Sequence, residues 1–357
     1  MEKGYLVLED GKVFQGEKCG AAGSVVGWVT PHTAMAGYQE VITDPANQDM
    51  IISMSYPLVG NYGVNSNYSE SIQGGAKGLL VRQLNREPSH WRSEGSLQEF
   101  MEEKGVVGLE EVDTRAVVRH LFRQGTMRGA ITASRDEGEK ALSSTSRLEE
   151  PCVKSSLPRE EVWELPGPLL VVIDMGVRLS FLRALQRRGF SLAILPVSTF
   201  SYEQILAYSP QGVVVAGGGG SPWEIVQRKG EELKKLSGKF PLLGVALGAQ
   251  VLYRLEGEEV GLLKTGHRGD SYPVKIHPGG KVYLTSQAHQ YDLVPPPYGS
   301  CWEVAGPNLH DGTVESVFNP HQKILGIQFW PRFSIREEVF VEDRVESFME
   351  IMKGETT

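Results

Sequence analysis

The sequence predicts an α/β protein built of a β-rich N-terminal domain followed by an open, mostly parallel sheet flanked by helices. Two patterns and a length carry that expectation. Between Tyr5 and Val81, short apolar runs sit among Gly, Thr, Ser and Asn, as in short strands joined by structured loops. From Leu169 onward, strand-length apolar runs alternate with helical periodicity, which implies β-α units with buried parallel strands. A chain of 357 residues also favours two cores over one. The expected division is a first domain at residues 1–150, a linker at 151–167 and a second domain at 168–357.

In chain order, Tyr5–Leu8 and Val13–Phe14 flank Asp10-Gly11, a tight-turn pair, and predict an N-terminal hairpin. Met50–Ile52 and Gly78–Val81 are further strands. Ser96–Met101 and Asp113–Phe122 are helical, the second opening on Asp113 as a cap. The acidic residues from Glu99 to Glu111 are expected on solvated helix faces. The stretch Asp136–Gly167 is charged, Ser-rich and Pro-containing with little periodicity, which places the domain boundary there. Strand Leu169–Ile173, helix Leu179–Leu185 closed by Gly189, strand Leu192–Leu195, a helix near Tyr202–Ala207, strand Val213–Val215 and a helix over Trp223–Leu236 follow. Beyond Gly257 the pattern turns to strands: Tyr272–Ile276, Lys281–Thr285, Trp302–Ala305, Val314–Phe318 and Ile324–Phe329. A helix from Glu338 to about Met352 closes the chain.

The chain is organised around Pro241–Gln250, where an apolar strand meets a Gly-x-x-x-Gly turn and then a helical pattern through Val251, Leu252 and Leu255. A strand that turns sharply into a helix lifts its turn residue to the C-terminal edge of a sheet, beside helix N-terminal amides that favour negative charge. An enzyme places a nucleophile there. The residue in that place is Ala246, whose methyl group attacks nothing.

Composition narrows the classes. The apolar share is 40% and the charged share 22%, ordinary for a soluble globular chain. A net charge of −8 and a pI near 5.6 argue against a general nucleic-acid surface. No apolar run reaches the roughly 18 residues of a membrane span, and Met1–Gly4 leads into a strand pattern without a signal-like core. Cys19, Cys152 and Cys301 are far apart, which suits a reducing cytoplasm and offers no metal-ligand spacing. A cytoplasmic protein without cofactor or metal, binding neither nucleic acid nor membrane, is the expectation.

The residues then carry a family resemblance. Leu6–Gly11, Met35–Glu40, Thr43–Pro45, Ser55–Gly63 and Asp113–Arg115 resemble the N-terminal domain of the carbamoyl-phosphate synthase small subunit. Gly244–Gln250, Gly266-His267, Pro273–Lys275, Thr285–Gln287 and Gly326–Phe329 are similar to the class I glutamine amidotransferase domain of that subunit. The likeness runs nearly end to end. It implies a glutaminase: an elbow cysteine attacks the glutamine amide, a His oriented by a Glu moves protons, and ammonia passes to a large synthetase subunit. Backbone amides beside the elbow would hold the oxyanion.

Set against that resemblance, the triad positions are replaced. The family's Gly-x-Cys-Leu-Gly-His-Gln elbow has Ala246 for the Cys and Ala249 for its His, and its late His-Pro-Glu reads Trp330-Pro331-Arg332. The family's Asn-Gly-Pro-Gly-Asp-Pro loop reads Gly217–Pro222; it keeps Gly218 and Gly220 and loses a stiffening Pro, which predicts a more mobile loop. Gln-Asn-His-Gly reads Gln287-Ala288-His289-Gln290, and Thr-Asp-Pro-Ser ends on Ala46. Leu247, Gln250 and Tyr291 keep acceptable types at glutamine-contact positions. The resemblance thus makes Ala46, Gly218, Gly220, Leu247, Gln250, Ala288, Gln290 and Tyr291 a vestigial glutamine site.

Losing the nucleophile of such a triad alone costs on the order of a millionfold. The Trp330 indole is expected to fill the vacated pocket and block glutamine, since overpacking of roughly 1–3 kcal/mol would otherwise have to be absorbed. Blander readings stand beside these. Gly217–Gly220 lacks the Gly-Lys-Ser/Thr of a phosphate loop; His267, His277, His289 and His310 show no ligand spacing; Cys301 is expected to be a buried apolar cysteine. Trp91, Trp163 and Trp223 are expected to pack in cores or interfaces. The leading function is a non-glutaminase docking or regulatory subunit for a large ammonia-using synthetase subunit in pyrimidine or arginine precursor synthesis. The alternatives are a glutamine-hydrolysing subunit with another nucleophile and a repurposed small-molecule sensor.

Overall fold

The computed structural model describes residues 2–72, 74–145, 154–334, 339–340 and 344–354. By contact density the chain divides into two units, residues 1–149 with 264–268, and residues 150–263 with 269–357.

In the first unit, strands β1 (Lys3–Leu8), β2 (Val13–Gly20), β3 (Val25–His32), β4 (Met50–Met54), β5 (Gly78–Leu80), β6 (Val107–Glu110) and β7 (Met127–Thr132) close into a barrel. The order is β1-β2-β6-β5-β4-β3-β7, and β7 pairs back to β1. Closure leaves no open edge, and the strand alternation sends Leu6, Leu8, Val29, Ile51, Leu80, Leu109 and Ile131 into one buried cluster. Helices α1 (Tyr38–Thr43), α2 (Leu97–Lys104), α3 (Thr114–Gln124) and α4 (Arg135–Ser144) flank it. The start of α2 is a reciprocal Ser96–Glu99 capping box and its end is Gly105 in the left-handed region. Asp113 caps α3 by accepting from the Ala116 amide, and Val117 and Leu121 turn inward.

The second unit holds β8 (Glu161–Trp163), β9 (Leu169–Met175), β10 (Ser191–Pro196), β11 (Gly212–Gly217), β12 (Leu242–Ala246), β13 (Val260–Lys275), β14 (Val282–Leu293), β15 (Glu303–Pro307), β16 (Val314–Asn319) and β17 (Ile324–Ile327). They form one 10-stranded sheet in the order β8-β10-β9-β11-β12-β17-β16-β14-β13, with β15 beside β16. Strands β10, β9, β11, β12 and β17 run parallel; β8 and β16 run opposite to them, and β15 pairs antiparallel with β16. Helices α5 (Leu179–Arg187) and α9 (Arg344–Lys353) cover one face through Phe181, Leu182, Leu185, Val345 and Phe348. Helices α6 (Tyr202–Tyr208), α7 (Pro222–Lys234) and α8 (Leu247–Leu255) cover the other through Ile205, Ile225, Leu233, Leu247 and Val251. Both faces being covered explains why Val171, Val172 and Ile173 form an uninterrupted apolar run.

Several expectations are corrected. The stretch from Asp136, irregular by composition, opens as α4, because Ser134 caps it and Leu142 anchors it to the barrel. The span expected as a linker contains β8, which adds an antiparallel edge to β10. Glu110 lies on no solvated helix: it is 4% exposed in β6, where Arg86 pairs with it. Strands β13 and β14 extend well beyond Tyr272–Ile276 and Lys281–Thr285, so the Gln287–Gln290 motif is strand, its glycine-rich and polar flanks having masked the pattern. The last helix, described over Arg344–Lys353, does not run unbroken from Glu338: Val339–Phe340 pairs as a short strand with Phe333–Ser334, and Glu338 itself lies outside the described residues.

The elbow strand and α8 touch through glycine. A Cβ at Gly248 would lie 1.7 Å from the Val215 carbonyl oxygen of β11, and one at Gly244 would lie 2.7 Å from the Ala249 Cα. Backbone cannot yield as a side chain does, so Gly248→Ala should destabilise by about 3 kcal/mol in urea unfolding. Gly261→Ala, whose Cβ would meet only a Val294 methyl at 3.6 Å, should change stability by less than about 0.5 kcal/mol. Equal midpoints for the two variants would show that α8 is free to shift.

Candidate functional site

Strand β12 ends at Ala246, and α8 begins one residue later. Ala246 has φ 51° and ψ −114°, a backbone conformation that costs an ordinary L-residue about 1–3 kcal/mol and persists only where the surroundings impose it. The glycine contacts at 244 and 248 impose it. Ala246 pairs in register with Gly217, so the loop Gly217–Ser221 starts beside the elbow at the carboxyl edge of the parallel strands. This is where a nucleophile would face helix-terminal amides, and the side chain there is a fully buried methyl.

Trp330 follows β17 and is 2% exposed. Its backbone N–H donates to the Ser286 carbonyl at 2.9 Å, which fixes the chain against β14. The indole belongs to the same buried apolar cluster as Ala246, Val245, Phe181 and Phe329. It meets Phe181 edge-on at 5.9 Å, and the Arg178 guanidinium lies 5.0 Å from the ring centre while donating to Ser286 Oγ at 3.2 Å. Among the described residues, buried indole Nε1 has no hydrogen-bond partner, so apolar packing carries the placement of this side chain. Arg332 is exposed, two residues on.

The other expected positions fall into two groups. Gln250 is buried and its amide donates to the Gln328 side-chain oxygen at 2.9 Å and to the Tyr291 carbonyl at 3.2 Å. That same carbonyl accepts from Gln328 Nε2 at 3.1 Å and faces His289 Nδ1 at 2.8 Å. A carbonyl only accepts, so Nδ1 of His289 carries a proton; Nε2 faces Gln287 Oε1 at 3.1 Å and Glu315 Oε2 at 3.7 Å. Gly218 and Gly220 flank the elbow loop, Gly220 at φ 123°, and the Tyr291 hydroxyl bonds Ser221 while burial pushes its proton affinity up. Leu247 and Ala288 are buried. Gln290 turns its amide to the Leu263 carbonyl at 2.7 Å, on β13. Ala46 belongs to the first unit, buried in a 3₁₀ turn capped by Asp44.

Sequence reasoning missed Arg178, Phe181 and Ser286 around the indole, and Gln328 on Gln250. Gln328 sits inside a segment already singled out, Gly326–Phe329, so its proximity was within reach. Ser286 likewise sits inside a segment already singled out, Thr285–Gln287, whereas nothing in local pattern marked Arg178. Cys301, expected buried, is exposed: the adjacent Trp302 takes the buried position against Tyr253 at 5.0 Å, and one residue of a turn cannot follow its neighbour inward. Cys19 lies in the first unit, where burial and then Glu110 push its thiol up to about 12, so it holds its proton at neutral pH. Cys152 lies outside the described residues. Among the described residues, no helix is long and apolar enough to cross a membrane.

An elbow at the edge of a parallel sheet, with a glycine loop beside it, is the frame of an amidotransferase-type domain. Residues 171–344 match the family profile of class I glutamine amidotransferases, and residues 6–131 match that of the carbamoyl-phosphate synthase small chain, CPSase domain. The carbamoyl phosphate synthase small chain of Listeria monocytogenes is 35% identical over 365 residues, covering 99% of this chain and 98% of its own. The small chain of Akkermansia muciniphila is 35% identical with 92% of each covered, and that of Symbiobacterium thermophilum 36% with 94% and 96%. The chain belongs to the carbamoyl-phosphate synthase small chain family.

Two outcomes test the site. Trp330→Ala should cost about 3–5 kcal/mol in chemical denaturation, because the side chain is core and not surface. Asp174, at the end of β9, accepts from the amides of Gly176, Val177 and Leu157, yet burial holds its carboxyl above the ordinary 3.8. The native state therefore keeps this proton where the unfolded chain has lost it, and the associated stability is full below 3.8 and lost as pH rises through the raised value. Asp174→Asn should gain less Tm than wild type when scanned by calorimetry from neutral pH down to about 4. Identical pH slopes would remove Asp174 as the source.

Proposed function

We propose that this chain is a small subunit without glutaminase activity that retains a docking or regulatory role toward a large, ammonia-using synthetase subunit, in pyrimidine or arginine precursor synthesis in the cytoplasm. The single observation that carries the reading is the pair Ala246 and Trp330: a methyl where the resemblance implies the attacking thiolate, and in the same buried cluster an indole where it implies the proton-carrying imidazole. A methyl forms no bond to an amide carbon, and an indole N–H of this kind does not take up a proton at neutral pH. Arg332, where the resemblance implies the orienting carboxylate, carries the opposite charge. Ala46, Gly218, Gly220, Leu247, Gln250, Ala288, Gln290 and Tyr291 are, on this reading, remnants of a glutamine site; the Gln250 amide is turned onto Gln328 and the Tyr291 carbonyl.

Docking asks less of a subunit than hydrolysis does. A binding surface needs only shape and charge, whereas hydrolysis falls by a factor on the order of 10⁶ with the loss of the nucleophile alone. The experiment is co-purification with the cognate large subunit, then carbamoyl phosphate formation with glutamine or ammonium. A stable complex active with ammonium and inactive with glutamine is expected; glutamine-dependent synthesis by the purified complex would overturn the reading. In the same complex, Ala246→Cys should leave glutamine turnover at the no-enzyme level, since sulfur alone restores neither base nor open pocket. Turnover in that variant would show that Trp330 does not exclude the substrate.

A further inference from the structure

Helix α3 carries a stripe of positive charge that its own fold does not neutralise. Arg115, Arg119 and Arg123 recur every fourth residue, so they rise about 6 Å per step along one flank of the helix. All three are exposed, and none has a carboxylate partner or hydrogen bond among the described residues. Phe122, 50% exposed, lies on the same outward face, opposite Val117 and Leu121. Two carboxylates at the helix are otherwise engaged: Asp113 caps its start, and Asp10 bonds His120 at 2.6 Å.

In isolation this arrangement works against the helix. Like charges at i, i+4 repel by about 0.2–0.5 kcal/mol per pair, and Arg115 stands in the first turn, where the helix dipole disfavours a cation. The stripe is also opposite in sign to a chain whose net charge is −8. Guanidinium groups with a half-exposed aromatic side chain among them are the residue types that dominate binding energy at protein interfaces. We infer that the Arg115–Arg119–Arg123 face of α3, with Phe122, is a docking surface for an acidic protein surface on the large subunit, one that presents carboxylates spaced along a helix or strand. This deepens the docking reading and rests on it. Nucleic acid fits less well, because three charges over about 12 Å neutralise few phosphates and the remaining surface repels them.

The test uses the full chain, wild type, the triple variant R115E/R119E/R123E and the charge-keeping R115K/R119K/R123K, with Tm confirming that these exposed changes leave the fold intact. Each is titrated with the cognate large subunit, with poly-L-glutamate and with a short DNA duplex, across salt. The triple Glu variant should lose about 100-fold in affinity for the large subunit and all salt-dependent binding of poly-L-glutamate, while the Lys variant keeps most of both. Equal affinities for wild type and the triple Glu variant overturn the assignment. Duplex bound as tightly as poly-L-glutamate overturns it in favour of nucleic acid. If wild type fails to bind the large subunit at all, the docking reading falls, and poly-L-glutamate then decides this surface alone: binding abolished by charge reversal upholds an acidic occupant, and no binding overturns it.

Discussion

The approach of α8 to β11 governs the second unit. With a bare Gly248 Cα set against the Val215 carbonyl and Gly244 against the backbone of Ala249, the helix has no room to slide, and Ala246 must adopt its left-handed turn. Everything around the elbow follows from that contact. The register of Ala246 on Gly217 brings the glycine loop alongside, and the start of α8 sends Gln250 inward to Gln328 and the Tyr291 carbonyl. The strain at Ala246 is held by packing that does not depend on what the side chain can do. The frame of a catalytic turn therefore persists with a methyl in the place of a nucleophile.

The family domains were legible because their signals are local. The parallel strands declared themselves as apolar runs, and the cap Asp113 marked one helix start directly. The elbow could be placed to the residue, since a glycine spacing after a buried strand has few structural solutions. What local pattern concealed was what tertiary contact decides. Strand β14 reads as polar and irregular through Gln287–Gln290, yet Gln287 bonds Thr285, His289 bonds Gln287 and the Tyr291 carbonyl, and Gln290 reaches the Leu263 carbonyl on β13, so pairing overrides propensity. The burial of Glu110 depends on Arg86, and the exposure of Cys301 on Trp302 taking the inward place; neither relation leaves a periodic trace. That Trp330 sits with Ala246 was expected from the resemblance; that Arg178 and Ser286 clamp it was not.

The two units use polar groups differently. In the barrel, charges pair singly where a strand end would otherwise bury a carboxylate, as Arg86 does for Glu110 and Lys77 for Asp49 at 2.8 Å. In the sheet, neutral amides form a connected group in which one acceptor, the Tyr291 carbonyl, gathers Gln250, Gln328 and His289. Such a group holds three elements at once and tolerates no partial loss, since each orphaned buried amide costs about 1–3 kcal/mol.

The orphaned indole nitrogen of Trp330 has a consequence for the history of the chain. Under the proposed reading, a return to hydrolysis would need sulfur at 246, imidazole at 330 and a carboxylate at 332 together. Sulfur alone meets an indole wall; imidazole alone leaves a smaller, polar ring in an apolar cluster; a carboxylate alone has nothing to orient. Each single step lowers stability or changes nothing, and none is rewarded by turnover. On that reading the core has closed behind the substitution like a ratchet.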